Sequence, residues 1–301
     1  METSHIESLL RKLKLGRVRE IFPDWIDKSG REGASFGDFL GGLLAEEVAA
    51  REERRIGRLL HQADFPFVAT LEQFDFRLRP ELRRQVFQSY LDASFIRDAR
   101  AVVLIGSPGL GKTHLAIAVG IHHVQRGFDV RCVQVQTLVN RVLGAESIRE
   151  RERVLRPYSK CDLLVLDELG YLAAEEGTGP LLYELIAQRY EKRATIITSN
   201  KSLPQWGRVL SDTSLAAALI DRLMHHGDVY YLKGPSIRLR DKEGILTMEG
   251  DESAPEPPVK RNVTKQQDGN EEHTPLNPPH SEAFPQPVKR NVTKKGAHKD
   301  G

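Results

Sequence analysis

Residues Gly106-Ser107-Pro108-Gly109-Leu110-Gly111-Lys112-Thr113 fit the pattern G-x-x-x-x-G-K-[ST]. Glycines at this spacing let backbone N–H groups converge on phosphate oxygens. The lysine then reaches the β- and γ-phosphates of a nucleotide, and the hydroxyl after it holds Mg²⁺. His114 follows directly, so the candidate nucleotide contacts run from Gly106 to His114. The surroundings suit this chemistry. An apolar run, Ala101–Ile105, precedes the loop, and a helical run, Thr113–Val124, follows it. The N-terminus of that helix adds positive potential where phosphate would lie. ATP and Mg²⁺ are the expected ligands.

Three further elements suit hydrolysis. Leu163-Leu164-Val165-Leu166-Asp167-Glu168 is an apolar run ending in two carboxylates. Asp167 is placed to orient Mg²⁺, and Glu168 to polarise an attacking water. Ala194-Thr195-Ile196-Ile197-Thr198 ends in Ser199-Asn200. If that strand lies between the other two, Asn200 faces the γ-phosphate and positions the lytic water. Taken alone, an Asn at a strand end is a common turn former. Ala216–Met224 reads as a helix carrying Arg222 after Asp221. A fixed guanidinium suits spreading γ-phosphoryl charge; an Asp–Arg surface pair is the alternative. Arg238 is another candidate phosphate contact, with Arg240 as its competitor.

The elements that must hold these residues follow from hydrophobic pattern. Short apolar runs at Ala101–Ile105, Val130–Val135, Leu163–Leu166, Ala194–Thr198 and Asp228–Leu232 alternate with helical stretches. That is the signature of a parallel sheet covered on both faces. The expected fold is α/β, a P-loop three-layer domain over residues 99–248. Residues 1–98 read as a helical, arginine-rich N-terminal domain for DNA or a partner. Ile6, Leu9, Leu10 and Leu13 share one helix face. Ser35 stands as an N-cap before the apolar stripe Phe36, Phe39, Leu40, Leu43 and Leu44. Arg51, Arg54, Arg55, Arg58, Arg77, Arg79, Arg83 and Arg84 are candidate phosphate contacts.

Composition sets the outer limits. The 301 residues hold 44 Lys and Arg against 42 Asp and Glu, so the net charge of +2 argues against a histone-like binder. Eight of the 16 prolines fall between Pro255 and Pro287. Residues 249–301 are therefore expected to be a disordered tail. It carries a direct repeat, Pro258–Lys265 and Pro287–Lys294. Two cysteines, Cys132 and Cys161, are too few for a disulfide framework or a zinc site. No apolar run is long enough to span a membrane. The expected setting is a reduced cytoplasm.

Residues ~35–242 resemble the IstB-like transposition helper ATPases, relatives of the DnaC-type helicase loaders within the AAA+ class. The resemblance rests on Glu53–Ile56, Ala63–Pro66, Phe74-Asp75-Phe76, Gly106–Ala116, Leu163–Tyr171, Arg189-Tyr190-Glu191, Thr198–Lys201, Gln205-Trp206-Gly207 and Asp221–His226. It implies ATP-dependent homo-oligomers on double-stranded DNA that assist a cognate transposase. It also implies roles: Asp167 and Glu168 as the Walker B pair, Asn200 as sensor I, Arg222 as an arginine finger on a neighbour's ATP, and Arg238 as sensor II. Where that family usually has Ser-Tyr-Arg, this chain has Ser236-Ile237-Arg238. A helicase loader would share the fold with a different client. A small-molecule kinase would share the loop, but the Asp167-Glu168 pair with Asn200 and Arg222 favours water as acceptor.

Overall fold

The computed structural model describes residues 3–170 and 177–237. The chain divides into two units, residues 1–251 and 252–301, and the described residues all belong to the first. The expected tail at 249–301, its repeat, Arg238 and Arg240 lie outside the described residues.

Three helices open the chain: α1 (Thr3–Lys12), α2 (Gly16–Glu32) and α3 (Phe36–Ala63). Ser35 caps α3, its hydroxyl accepting from the Asp38 N–H at 3.1 Å. The three helices bury a small core of their own. Val18, Phe22 and Leu43 form it, with Ile6, Leu10 and Phe39 packed against it. The apolar stripe of α3 therefore splits. Leu43 is buried, while Phe36, Leu40 and Leu44 stay exposed.

Helix α2 has no side-chain cap of its own. Glu47 of α3 supplies one from outside. Its Oε2 accepts from the N–H groups of Arg17 at 2.8 Å and Val18 at 3.1 Å. Its Oε1 accepts from Arg51 Nε at 2.9 Å, the expected i, i+4 pair. Burial pushes the Glu47 carboxyl up, but the bonds from Arg51, Val18 and Arg17 outweigh it and hold it below its ordinary value.

Short helices α4 (Arg84–Ser89) and α5 (Ala93–Arg97) lead to the sheet. There follow β1 (Ala101–Gly106), α6 (Lys112–Gln125), β2 (Val130–Gln134), α7 (Val135–Leu143), α8 (Ile148–Lys160) and β3 (Leu163–Leu169). The rest are α9 (Thr178–Arg189), β4 (Ala194–Ser199), α10 (Trp206–Val209), α11 (Thr213–His225) and β5 (Gly227–Leu232). Every expected strand forms. The largest departure is β3, which runs past Leu166 to Leu169.

Strand side chains alternate between two cores, which makes the domain three-layered. Val102, Leu104, Cys132, Val165 and Ile196 face α6 and the aromatic residues Phe74, Phe87 and Phe95. Val103, Ile105, Val133, Leu164, Leu166 and Ile197 face α7, α9 and α11. Both cysteines are buried and unbridged. Tyr90 fastens the segment before the sheet to β5, donating to Asp228 Oδ2 at 2.7 Å.

All strand pairs are parallel, in the order β2-β3-β4-β1-β5. The phosphate-loop strand β1 and the acidic strand β3 are thus not neighbours. Strand β4 separates them, as a role for Asn200 at the γ-phosphate requires. In such sheets, ligands bind beyond the carboxyl ends of the strands, where the order reverses.

Glu47→Ala should cost about 1–2 kcal/mol, the value of a lost helix cap. Because its folded pKa is depressed, the contribution is present above the ordinary 4.5 and fades as pH falls through the lower folded value. Urea denaturation of both proteins should show the gap constant near neutrality and narrowing in acid. A gap that widens on acidification would contradict this.

Candidate active site

The loop between β1 and α6 is shaped by its glycines. Gly111 has φ 90° at the N-cap of α6, and a Cβ there would lie 2.5 Å from the Phe74 ring. Gly109 has φ 78°, and a Cβ there would collide with the Ser236 side chain. The Ile237 N–H also donates to the Gly109 carbonyl at 2.9 Å. The loop is therefore enclosed by the segment before α4 on one side and by residues 235–237 on the other. Lys112 is buried, and its Nζ donates to the Ser107 carbonyl at 2.8 Å.

Asp167 is the hub of the site. It is 5% exposed, and its Oδ1 accepts from Thr113 Oγ1 at 2.8 Å and from Thr198 Oγ1 at 2.5 Å. Thr198 in turn accepts from the Glu168 N–H at 2.9 Å. These bonds join the start of α6, the end of β3 and the end of β4. Thr113 and Asp167 offer a hydroxyl and a carboxylate side by side, the oxygen donors a hard divalent cation takes.

Glu168 is exposed and aimed into the site by an irregular backbone. The β3–β4 register shifts between Leu166 and Leu169, and Glu168 has φ 63°. This is the left-handed region, which costs an L-residue of its size about 1–2 kcal/mol. Gln134 Nε2 donates to Glu168 Oε2 at 3.3 Å.

A cavity of about 580 Å³ opens between these groups. Lys112, Thr113, Glu168 and Asn200 line its polar end, and Phe67, Phe74, Leu78 and His114 its apolar end. His114 is held there by a contact of 3.0 Å between Nε2 and the Thr70 carbonyl. Asn200 brings a buried Oδ1 that meets no hydrogen-bond partner among the described residues. That atom is packed against Gly170, and it is the cavity's polar lining that suits a polar ligand.

Arg222 lies elsewhere. The start of β5 pairs with Ala101, at the opposite end of β1 from the loop. Arg222 borders a shallow hollow there with Ala101, Arg189 and Tyr190. Six strand residues put about 16 Å between the two edges, so Arg222 cannot reach its own chain's cavity. It forms no pair with Asp221. Its guanidinium lies over Tyr183 at 4.7 Å and Tyr190 at 5.9 Å, and donates to the Ala218 carbonyl at 3.2 Å. Nearby, Glu191 is within 3.5 Å of both His225 and His226.

Sequence reasoning misplaced one residue and missed others. Arg79, taken as a candidate DNA contact, is 1% exposed and donates to the Leu110 carbonyl of the loop. Thr198 and Gln134 were missed. Thr198 is one of three hydroxyl residues in β4, with Thr195 and Ser199, so its type did not single it out.

A glycine loop that crosses from a buried strand into a helix, facing a hydrogen-bonded acid two strands away on a parallel sheet of this order, defines the fold of a P-loop nucleotide-binding protein. Within that class the chain belongs to the IstB-like ATP binding protein family, whose pattern matches residues 8–244. A Pseudomonas aeruginosa protein of insertion sequence IS21, named for ATP binding, is 36% identical over 244 residues, 80% of this chain and 92% of that one. A counterpart in insertion sequence IS5376 of Geobacillus stearothermophilus is 34% identical over 237 residues, 79% of this chain and 94% of that one. Among solved structures, a DnaC helicase loader aligns with 55% of this chain and 97% of its own, at 20% identity and a TM-score of 0.45. Among the described residues no helix is long and apolar enough to cross a membrane.

Glu168→Gly should relieve the left-handed strain and raise stability by up to about 1 kcal/mol, though it deletes the exposed carboxylate. Thermal denaturation without nucleotide checks this. A fall in Tm would show that Glu168 is not strained.

Proposed function

We propose that this chain is an ATP-hydrolysing, DNA-binding helper that assembles on target DNA and assists the transposase of its insertion element. The observation that carries the reading is the chain of bonds from Thr113 through Asp167 and Thr198 to the Glu168 backbone, facing the cavity. It holds phosphate-loop groups and an acid in one fixed arrangement. Membership of an ATP-binding family, with relatives named for insertion sequences, supports the biological role.

In this reading the N–H groups of the loop and Lys112 bind the β- and γ-phosphates. Thr113 and Asp167 hold Mg²⁺, which when bound neutralises charge developing on the phosphates. Glu168 accepts a proton from the attacking water, and Asn200 orients that water. Phe74 and His114 pack beside the nucleoside. Arg222 belongs to a different site, the cavity of an adjacent copy. Hydrolysis then requires an interface, and ATP favours assembly because it binds the assembled state better. Arg238 is proposed as a further phosphate contact.

The helical N-terminal region is proposed as the DNA-facing module. Its arginines are not equal. Arg51 and Arg54 engage Glu47, Arg55 engages Glu52 and the Gly127 carbonyl, and Arg77 engages Asp75. Arg58, Arg83 and Arg84 are exposed and are the better candidates for duplex phosphates. Such contacts tolerate sequence and weaken steeply with salt.

Lys112→Ala should lose ATP binding and ATP-dependent assembly together. Glu168→Gln should bind ATP, slow its turnover by about 10²-fold or more, and remain assembled on DNA. Sedimentation with ATP, with and without duplex DNA, distinguishes the two. Turnover by Glu168→Gln at the wild-type rate would remove Glu168 from its role. Monomers under every condition would sink the assembly reading.

A further inference from the structure

Arg79 is a buried cation with an unusual set of partners. Its Nε donates to the Leu110 carbonyl at 3.2 Å, Nη1 to the Leu78 carbonyl at 2.6 Å, and Nη2 to the Pro235 carbonyl at 2.8 Å. Each partner is a neutral backbone oxygen. Among the described residues no carboxylate pairs with it. An arginine that is 1% exposed has lost its hydration, and carbonyl dipoles only partly replace a counterion.

The three carbonyls come from three segments that meet at the nucleotide cavity. Leu110 is in the phosphate loop. Leu78 lines the cavity at the end of the segment before α4. Pro235 precedes Ile237, whose N–H holds Gly109. Arg79 therefore sits behind the loop, on the side away from the cavity, and fixes the loop to both of its flanks.

We propose that Arg79 is a positioning residue for the triphosphate, and that bound nucleotide supplies negative charge that no described residue places opposite this guanidinium. The inference rests on the ATP-binding reading and adds a residue outside the phosphate-loop motif. It has two parts, geometry and charge. The fork of donors shapes the loop. The charge acts through a low-dielectric wall, where an interaction over several ångströms remains effective.

A second buried arginine provides the internal control. Arg189 is also 1% exposed and also donates to backbone carbonyls, those of Tyr158, Cys161 and Ala194. It lies at the opposite edge of the sheet, beside the start of β4 and away from this chain's own phosphate loop.

The test is calorimetric titration of the full chain with ATP, ADP and AMP, for wild type, Arg79→Gln, Arg79→Lys and Arg189→Gln. Arg79→Gln should weaken ATP by about tenfold or more, ADP by less and AMP least, because the charge effect grows with phosphate number. Arg79→Lys keeps the charge and loses the fork, so it should bind more weakly than wild type but keep the wild-type preference for ATP over ADP. Arg189→Gln, titrated at a protein concentration that keeps every variant monomeric, should lower Tm and leave all three affinities unchanged. Equal weakening of ATP and AMP by Arg79→Gln, or none, overturns the proposal. So does an ATP preference lost in Arg79→Lys, which decides the matter if Arg79→Gln does not fold. A wild-type protein that binds no ATP would instead overturn the ATP-binding reading itself.

Discussion

One carboxylate oxygen holds the site together. Oδ1 of Asp167 accepts hydroxyl hydrogens from Thr113 and Thr198, and so links β3 to the helix after β1 and to β4. Asp167 is buried, so its oxygens need hydrogen-bond donors such as these. The rest of the fold follows from that demand. β4 must lie between β1 and β3, the strands must be parallel so their ends coincide, and helices must cover both faces. The phosphate loop is then carried to within a hydrogen bond of the acidic strand. The same oxygens suit a divalent cation, so one constraint serves both folding and the proposed chemistry.

Around this hub the structure accepts local cost for placement. Glu168 takes a left-handed conformation at a break in the β3–β4 register, and that break turns its carboxylate out of the core toward the cavity. Arg79 is buried against backbone carbonyls at the back of the loop. Glu47 is buried to cap a helix belonging to another part of the chain. Arg79 and Glu47 stand where packing alone would favour apolar side chains, and Glu168 where the backbone alone would favour glycine.

What the sequence disclosed follows from how local each signal is. The central strands β1 and β3 were legible because they are buried on both faces and read as nearly unbroken apolar runs, whereas the edge strands β2 and β5 are partly exposed and carried a weaker signal. The phosphate loop was legible because eight consecutive residues carry it. Asn200 became interpretable only through strand order, which pattern alone does not supply. Thr198 stayed hidden for the same reason, since its hydroxyl matters only beside Asp167. Arg79 was misplaced because an arginine among arginines reads as solvated, and its burial depends on Leu110 and Pro235, far away in sequence. The stripe on α3 showed the opposite failure. Its spacing marks one apolar face, yet the fold covers only the part around Leu43 and Phe39.

The proposal that gives the fold its purpose is a hydrolytic site shared between two copies. Arg222 stands at the end of the sheet opposite the phosphate loop, between Tyr183 and Tyr190, out of reach of its own chain's cavity. Mixing Arg222→Ala with Glu168→Gln tests this directly, by steady-state ATP turnover on DNA. Each variant alone should be nearly inactive. In a one-to-one mixture, roughly a quarter of the head-to-tail interfaces should pair an intact Glu168 with an intact Arg222 and recover activity. A mixture no faster than the sum of its parts would contradict the shared site.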